Sequence, residues 1–211
     1  MSGWFITLEG IDGSGKSTQA KLLYERLLAC GIAALLTREP GGTVVGQALR
    51  KLCLNGGETL TWETEMLLMA ADRAQHVQEV IRPALEQGCC VICDRYIDST
   101  VAYQGYGAQA SLAAIRQVNM IATQGLEPHL TLLFDIKPTE RYVRQGEVDR
   151  IEKRSLEYHQ RVYEGFMQIA RENERVVVIP AKRKTPAEVA AMVWQACVTK
   201  LPHLDRSAEL N

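Results

Sequence analysis

Several things are scarce in this chain. Aromatic residues fill only 6% of its 211 positions, the formal net charge is −1, and no apolar run approaches the roughly 18 residues a bilayer span requires. Near-neutral charge excludes the overall basic character with which proteins grip a nucleic-acid backbone. We therefore expect no nucleic-acid partner, and any phosphate site must be local. The missing apolar run predicts no membrane association. The opening stretch, Met1 to Gly10, lacks a basic leader followed by an apolar core and cleavage site, so the expected location is cytoplasmic. Repeats, low-complexity tracts and linkers are absent too, which at this length predicts a single domain over 1–211.

Cysteine is not scarce: Cys30, Cys53, Cys89, Cys90, Cys93 and Cys197 are present. The Cys90-Val91-Ile92-Cys93 spacing suggests a metal or redox pair, but the run reads as an apolar strand. Residues three apart on a strand point to opposite faces and cannot jointly grip an ion. All six are therefore expected to be reduced, structural thiols.

Short apolar, partly β-branched runs recur at Trp4 to Glu9, Ala33 to Arg38, Cys89 to Asp94, Leu130 to Asp135 and Val176 to Pro180. Between them lie segments of helical spacing: Lys16 to Cys30, Val44 to Leu54, Thr64 to Glu86, Ser111 to Gln124, Asp149 to Asn173 and Thr185 to Lys200. Strand and helix alternate, which predicts an α/β fold with a five-stranded parallel sheet covered by helices on both faces. Gly31, Gly88 and Gly125 fall where left-handed residues end helices. The tail, Pro202 to Asn211, has little to pack and is expected to be loose. Ligands of such a sheet gather beyond the carboxyl ends of its strands.

One motif sits at that place. Gly10-Ile11-Asp12-Gly13-Ser14-Gly15-Lys16-Ser17 fits the G-x-x-x-x-G-K-[ST] phosphate loop, follows the first strand and opens the first helix. Small residues let successive backbone N–H groups curl around phosphate oxygens, the helix amino terminus adds partial positive charge, and Lys16 supplies a mobile cation. Ser17 is the expected Mg²⁺ ligand. Asp12 is unwelcome beside a triphosphate unless it has a partner of its own, so it faces the acceptor or a metal, or is simply solvated.

Further segments narrow the class. No asparagine opens the N-K-x-D element of a GTP switch. The third strand ends in Asp94-Arg95, where an acid followed by a cation suits transfer between two phosphates better than water activation. Asp94 can orient hydrated Mg²⁺ and Arg95 can neutralise an acceptor phosphate, although an Asp-Arg pair can also be purely structural. Arg38 and Pro40 close the second strand. Met69 and Arg73 are one helical turn apart, an apolar plate and a donor for a planar base. Ser99, Thr100, Tyr103 and Gln104 add hydroxyl, aromatic and amide groups soon after Arg95.

The ordered set Glu9 to Thr18, Arg38-Glu39-Pro40-Gly41-Gly42, Asp94-Arg95-Tyr96, Ala102-Tyr103-Gln104-Gly105 and Asp149-Arg150-Ile151-Glu152 closely resembles the bacterial thymidylate kinases. The resemblance runs from about Trp4 to Lys200. It implies a P-loop nucleoside-monophosphate-kinase fold, a homodimer, and conversion of dTMP and MgATP to dTDP and ADP. Carried onto this chain, the ATP site comprises Gly10, Ile11, Asp12, Gly13, Ser14, Gly15, Lys16, Ser17 and Thr18, with Arg144 near the adenine. Arg38 and Arg95 resemble clamps on the acceptor phosphate, and Asp12 the carboxylate near the sugar 3′-hydroxyl. Arg73 and Gln104 resemble readers of the thymine edge, with Thr100 or Ser99 a further contact, and Tyr103 the ring beneath the deoxyribose. Residues 137–153 resemble a short mobile lid whose Arg141 and Arg150, with Arg154 just beyond, are candidates for the transferring phosphoryl group. Two departures stand out: Met69 occupies the place where relatives stack a phenylalanine, and the lid is a few residues shorter than in arginine-rich examples. An enzyme for another nucleotide would differ around Arg73, Tyr103 and Gln104; a binding module without turnover would lack Lys16 or Arg95.

Overall fold

The computed structural model describes residues 3–55, 60–140, 149–202 and 204. Its strands are β1 (Phe5–Glu9), β2 (Ala34–Arg38), β3 (Cys90–Asp94), β4 (Leu130–Asp135) and β5 (Val176–Pro180), each within a residue of the expected bounds. They form one all-parallel sheet in the order β2-β3-β1-β4-β5. The helices are α1 (Lys16–Ala29), α2 (Val44–Asn55), α3 (Trp62–His76), α4 (Arg82–Glu86), α5 (Ile97–Thr100), α6 (Leu112–Thr123), α7 (Leu156–Glu172) and α8 (Pro186–Lys200). Gly31, Gly88 and Gly125 all take the left-handed conformation beyond helix ends, as expected.

The period-2 alternation of the strands divides the core. Ile6, Leu8, Cys90, Ile92, Leu130, Leu132 and Phe134 pack on one face against Ala20, Leu23 and Leu27 of α1 and Val189, Val193 and Cys197 of α8. On the other face Phe5, Val91 and Cys93 meet Val77, Ile81, Leu85 and Tyr96. Further along that face, Leu133 meets Ala102, Tyr103, Val162 and Phe166. Cys90 and Cys93 thus belong to opposite cores, and all six thiols are free. Each large apolar side chain fully buried here contributes roughly 1.5–3 kcal/mol.

Three expectations need correction. The helix expected over Thr64 to Glu86 is continuous, but it widens into a π-helical turn at Val77–Ile81 between α3 and α4. The helix expected from Asp149 begins only at Leu156, capped by the Ser155 hydroxyl accepting from the Tyr158 N–H. The intervening residues form a turn because the Asp149 carboxylate accepts from the N–H groups of both Ile151 and Glu152. Finally, Leu204 is 2% exposed and packs with Leu201 in the core beside α8, so the tail is anchored at least that far. Among the described residues, no helix is long and apolar enough to cross a membrane.

Candidate active site

Beyond the carboxyl ends of β1, β2 and β3 the chain makes three tight turns that converge. After β1, Gly10 adopts φ 137°, and a Cβ there would lie 2.9 Å from the Phe134 carbonyl oxygen, so only glycine fits. Lys16, at the start of α1, folds back over this loop: its Nζ donates to the carbonyls of Gly10 (3.0 Å) and Ile11 (2.7 Å). Burial, then the neighbouring Arg95 charge, push its pKa down to about 8, against the opposing pull of Asp12, Asp94 and Glu9. Ser17 Oγ donates to Asp94 Oδ2 at 2.5 Å, which joins the phosphate loop to the end of β3.

Arg95 is the second focus. Its backbone lies in the left-handed region (φ 75°), a conformation costing roughly 1–2 kcal/mol for a residue with a Cβ. The strain is offset by a dense set of bonds. NH1 donates to Gly10 O (2.9 Å) and Ser99 Oγ (3.0 Å), and NH2 to Asp12 Oδ1 (2.5 Å) and Tyr103 OH (3.1 Å). Tyr103 in turn donates to Asp12 Oδ2 at 2.7 Å. Burial would raise the Asp12 pKa, but the Arg95 and Lys16 charges and the Tyr103 hydroxyl outweigh it and hold the group well below the usual carboxylate range. Asp12 therefore has the partners that its place in a phosphate loop demands.

Next to this triad lies Glu9, the first residue of the phosphate-loop segment, to which the sequence reading gave no role. Its carboxylate accepts from the Tyr96 N–H (2.7 Å), the Ser99 N–H and Ser99 Oγ (2.6 Å), so it fixes the turn that carries Arg95. Burial and then the Asp98 charge raise its pKa to about 7.

A cleft of about 640 Å³, counted out to its open mouth, extends from Asp12 and Arg95 between α2, α3 and the segment after α5. Of the residues proposed for the acceptor, Asp12, Pro40, Met69, Arg73, Arg95, Ser99, Thr100, Tyr103 and Gln104 line it. Arg38 does not: it stands exposed at the end of β2, in register with Asp94. Glu39, Arg50, Leu54, Asp72, Asp149 and Ile151 complete the lining; none was given a role from sequence, although Glu39, Asp149 and Ile151 fall within the motifs that carry the resemblance. Arg73 is wholly internal, donating from Nε to Glu39 (2.8 Å), from NH1 to Thr100 Oγ1 (3.0 Å) and Asn119 Oδ1 (2.7 Å), and from NH2 to the Tyr96 carbonyl (2.9 Å). Guanidinium carries five N–H groups, so one NH2 hydrogen has no partner among the described residues.

Comparison with known proteins decides the family. The family model described as thymidylate kinase matches residues 8–193. The chain belongs to the thymidylate kinase family. It is 52% identical to the thymidylate kinase of Synechococcus sp. strain JA-2-3B'a(2-13) over 94% of this chain and 96% of that one. It is 44% identical to that of Exiguobacterium sibiricum over the full length of both. Among solved structures, the crystal structure of thymidylate kinase from Ehrlichia chaffeensis superposes with a TM-score of 0.77 at 36% identity, covering 92% of this chain and 98% of that chain. The P-loop nucleoside-monophosphate-kinase fold expected from sequence is therefore the fold observed.

Of residues 137–153, the expected lid of this thymidylate kinase, 141–148 lie outside the described residues, Arg141 and Arg144 among them. Among the described residues Arg150 donates to the Cys53 carbonyl (3.1 and 3.2 Å) and to Glu65, and not to the phosphate loop. Arg154 donates to the same Glu65 oxygen (2.7 Å) and to Tyr158 OH. In this arrangement Arg150, expected near the transferring phosphoryl group, is paired with Glu65 and the Cys53 carbonyl.

Proposed function

We propose that the phosphate loop from Gly10 to Thr18 receives the phosphates of MgATP and that the cleft receives dTMP. Family membership makes the chain a kinase that forms dTDP from dTMP with ATP as donor. The observation that carries the residue assignment is the Asp12–Arg95–Tyr103 triad, which joins the phosphate loop directly to the cleft. A dTMP phosphate approaching Arg95 lies next to the loop that holds the donor, and its oxygen attacks the γ-phosphorus in line, with no covalent enzyme intermediate. The new P–O bond forms as the bond to the ADP oxygen breaks. Positioning and charge supply the acceleration.

The remaining roles follow from chemistry. Lys16 stabilises charge on the transferring oxygens. The spare Arg73 donor suits the thymine O4, Met69 supplies the apolar plate, and Tyr103 sits below the deoxyribose. Ser17 Oγ and Asp94 are hard oxygen ligands 2.5 Å apart beside the loop, a donor set that fits Mg²⁺. Bound there, the cation neutralises charge on the phosphate oxygens. Arg38, exposed at the end of β2, is the cation that closes on the acceptor phosphate.

The six free thiols fit a reducing cytoplasm. A homodimer fits the apolar side chains left exposed on three neighbouring helices: Val44 of α2 is 81% exposed, Leu67 of α3 55% and Ile121 of α6 77%. Light scattering at twice the chain mass is the expected result; a monomer at micromolar concentration refutes it. The site assignment is tested by Arg95→Ala, whose dTDP yield should collapse while an ATP analogue still binds. Undiminished yield overturns it.

A further inference from the structure

Gln104 lines the cleft, yet its amide nitrogen is already committed. Nε2 donates at 2.5 Å to Glu65 Oε1, and both residues are buried. The other Glu65 oxygen accepts from the guanidinium groups of Arg150 and Arg154. A carboxylate holding three donated hydrogens is purely an acceptor. It fixes which way the Gln104 carboxamide faces, because the reversed amide would set two acceptor oxygens against each other. Gln104 Oε1 takes no hydrogen bond among the described residues. The cleft is therefore offered an acceptor at Gln104 and, from Arg73, a single spare donor.

We propose that Glu65 is a specificity-determining positioning residue, which locks the Gln104 carboxamide so that the cleft reads an imide edge and rejects an amidine edge. A thymine or uracil ring presents a carbonyl beside an N–H, the complement of one donor beside one acceptor. Cytosine presents the reverse order, an amino group beside a bare ring nitrogen. With Glu65 in place Gln104 cannot turn to suit cytosine, so dCMP leaves buried groups unpaired and is excluded. Glu65 touches no substrate and acts through Gln104. The idea rests on the reading that Gln104 faces the base, and its test separates the two.

The test compares kcat/KM for dTMP and dCMP in four proteins: the parent, Glu65→Gln, Gln104→Leu and the double variant, each checked for folding by thermal melting. A carboxamide at position 65 can donate as well as accept, which frees Gln104 to reverse. The dTMP-to-dCMP ratio should fall at least about tenfold in Glu65→Gln, with dCMP use rising in absolute terms. In the Gln104→Leu background the same change should move the ratio less than about twofold, the signature of an effect routed through Gln104. A ratio that falls in Gln104→Leu but not in Glu65→Gln overturns the proposal and spares the site assignment. A ratio untouched by Gln104→Leu overturns both. An equal fall in both backgrounds assigns Glu65 a general structural role and also overturns it. Should Glu65→Gln fail to fold, nuclear magnetic resonance of the parent decides: the Gln104 side-chain NH2 should exchange slowly with solvent, with and without dTMP, and rapid exchange in both states refutes the lock.

Discussion

Replacing Tyr103 separates two tasks that one side chain performs. Its ring is 6% exposed, packs edge-to-face on Phe166 at 6.0 Å, and lines the cleft. Its hydroxyl links Arg95 to Asp12. Tyr103→Phe keeps the ring and deletes both hydrogen bonds of the hydroxyl, the one accepted from Arg95 and the one donated to Asp12; the bond to the Asp12 carboxylate alone is worth about 1.5–3 kcal/mol. If that bond holds Asp12 and Arg95 for catalysis, kcat/KM for dTMP should drop about 10- to 150-fold, the lower end being expected because Arg95 still holds Asp12 at 2.5 Å. The ring, not the hydroxyl, is the barrier to a 2′-hydroxyl, so the preference for dTMP over its ribose counterpart should stay within about twofold in Tyr103→Phe. In Tyr103→Ala the preference should fall by tens-fold, matching the roughly 1–3 kcal/mol cost of crowding or desolvating that hydroxyl. Truncation also removes core packing, at about 3–5 kcal/mol of a total stability of only about 5–15. Tyr103→Leu, which fills more of the gap, replaces Tyr103→Ala if the latter melts below assay temperature. The assay is ADP release with each nucleotide on protein shown to be folded. An unchanged ratio in the truncated variant, or a collapsed ratio in Tyr103→Phe, refutes the division of labour.

Two further expectations follow from the buried charges. Lys16→Ala should fold but lose about 100-fold or more in turnover, because a charge meant for phosphate oxygens disappears; near-normal dTMP-dependent turnover contradicts its assigned role. Glu9 holds its proton more tightly folded than unfolded, with a pKa moved from 4.5 to about 7, so the native state binds the extra proton between those values. Its contribution to stability is present below about pH 4.5 and is lost as pH rises to about 7. Asp72, raised from 3.8 to about 6 by burial and then Glu39, acts in the same direction. Melting temperature followed from pH 4.5 to 7 should therefore carry a falling component that Glu9→Gln removes, and an identical profile in that variant refutes it.

The sheet was legible because each strand is an apolar run bounded by turn residues, and the phosphate loop because its glycines and lysine occupy consecutive positions. What escaped was set by distant partners. The segment Ile97–Gly107 was not read as helical, since β-branched and aromatic residues mix there with Gly105 and Gly107. Packing overrides that weak propensity: a Cβ on Gly107 would fall 2.7 Å from both Tyr158 and Val162, so its bareness lets α7 close on a π-helical turn. Asp149 looked like the start of a helix but captures two backbone N–H groups and delays it. In α3 the residues Glu65, Met69, Asp72, Arg73 and His76 share one face, and that spacing was available as a sign of a buried polar stripe. Its meaning was not, because the Arg73 side-chain partners Glu39, Thr100 and Asn119 lie 27 to 46 positions away. The role of Glu9, though it lies in the quoted motif, escaped for the same reason: it bonds to Ser99, 90 positions on.

The most direct test of the whole account is ADP release from MgATP by the purified chain, measured in parallel with dTMP, dUMP, dCMP, AMP and thymidine. The arrangement of Arg95, Arg73, Gln104 and Tyr103 predicts fastest release with dTMP, slower release with dUMP, and little with dCMP, AMP or thymidine, which respectively mismatch the edge readers, overfill the base site and lack the phosphate for Arg95. Equal release with all five, or release that ignores the acceptor altogether, would contradict it.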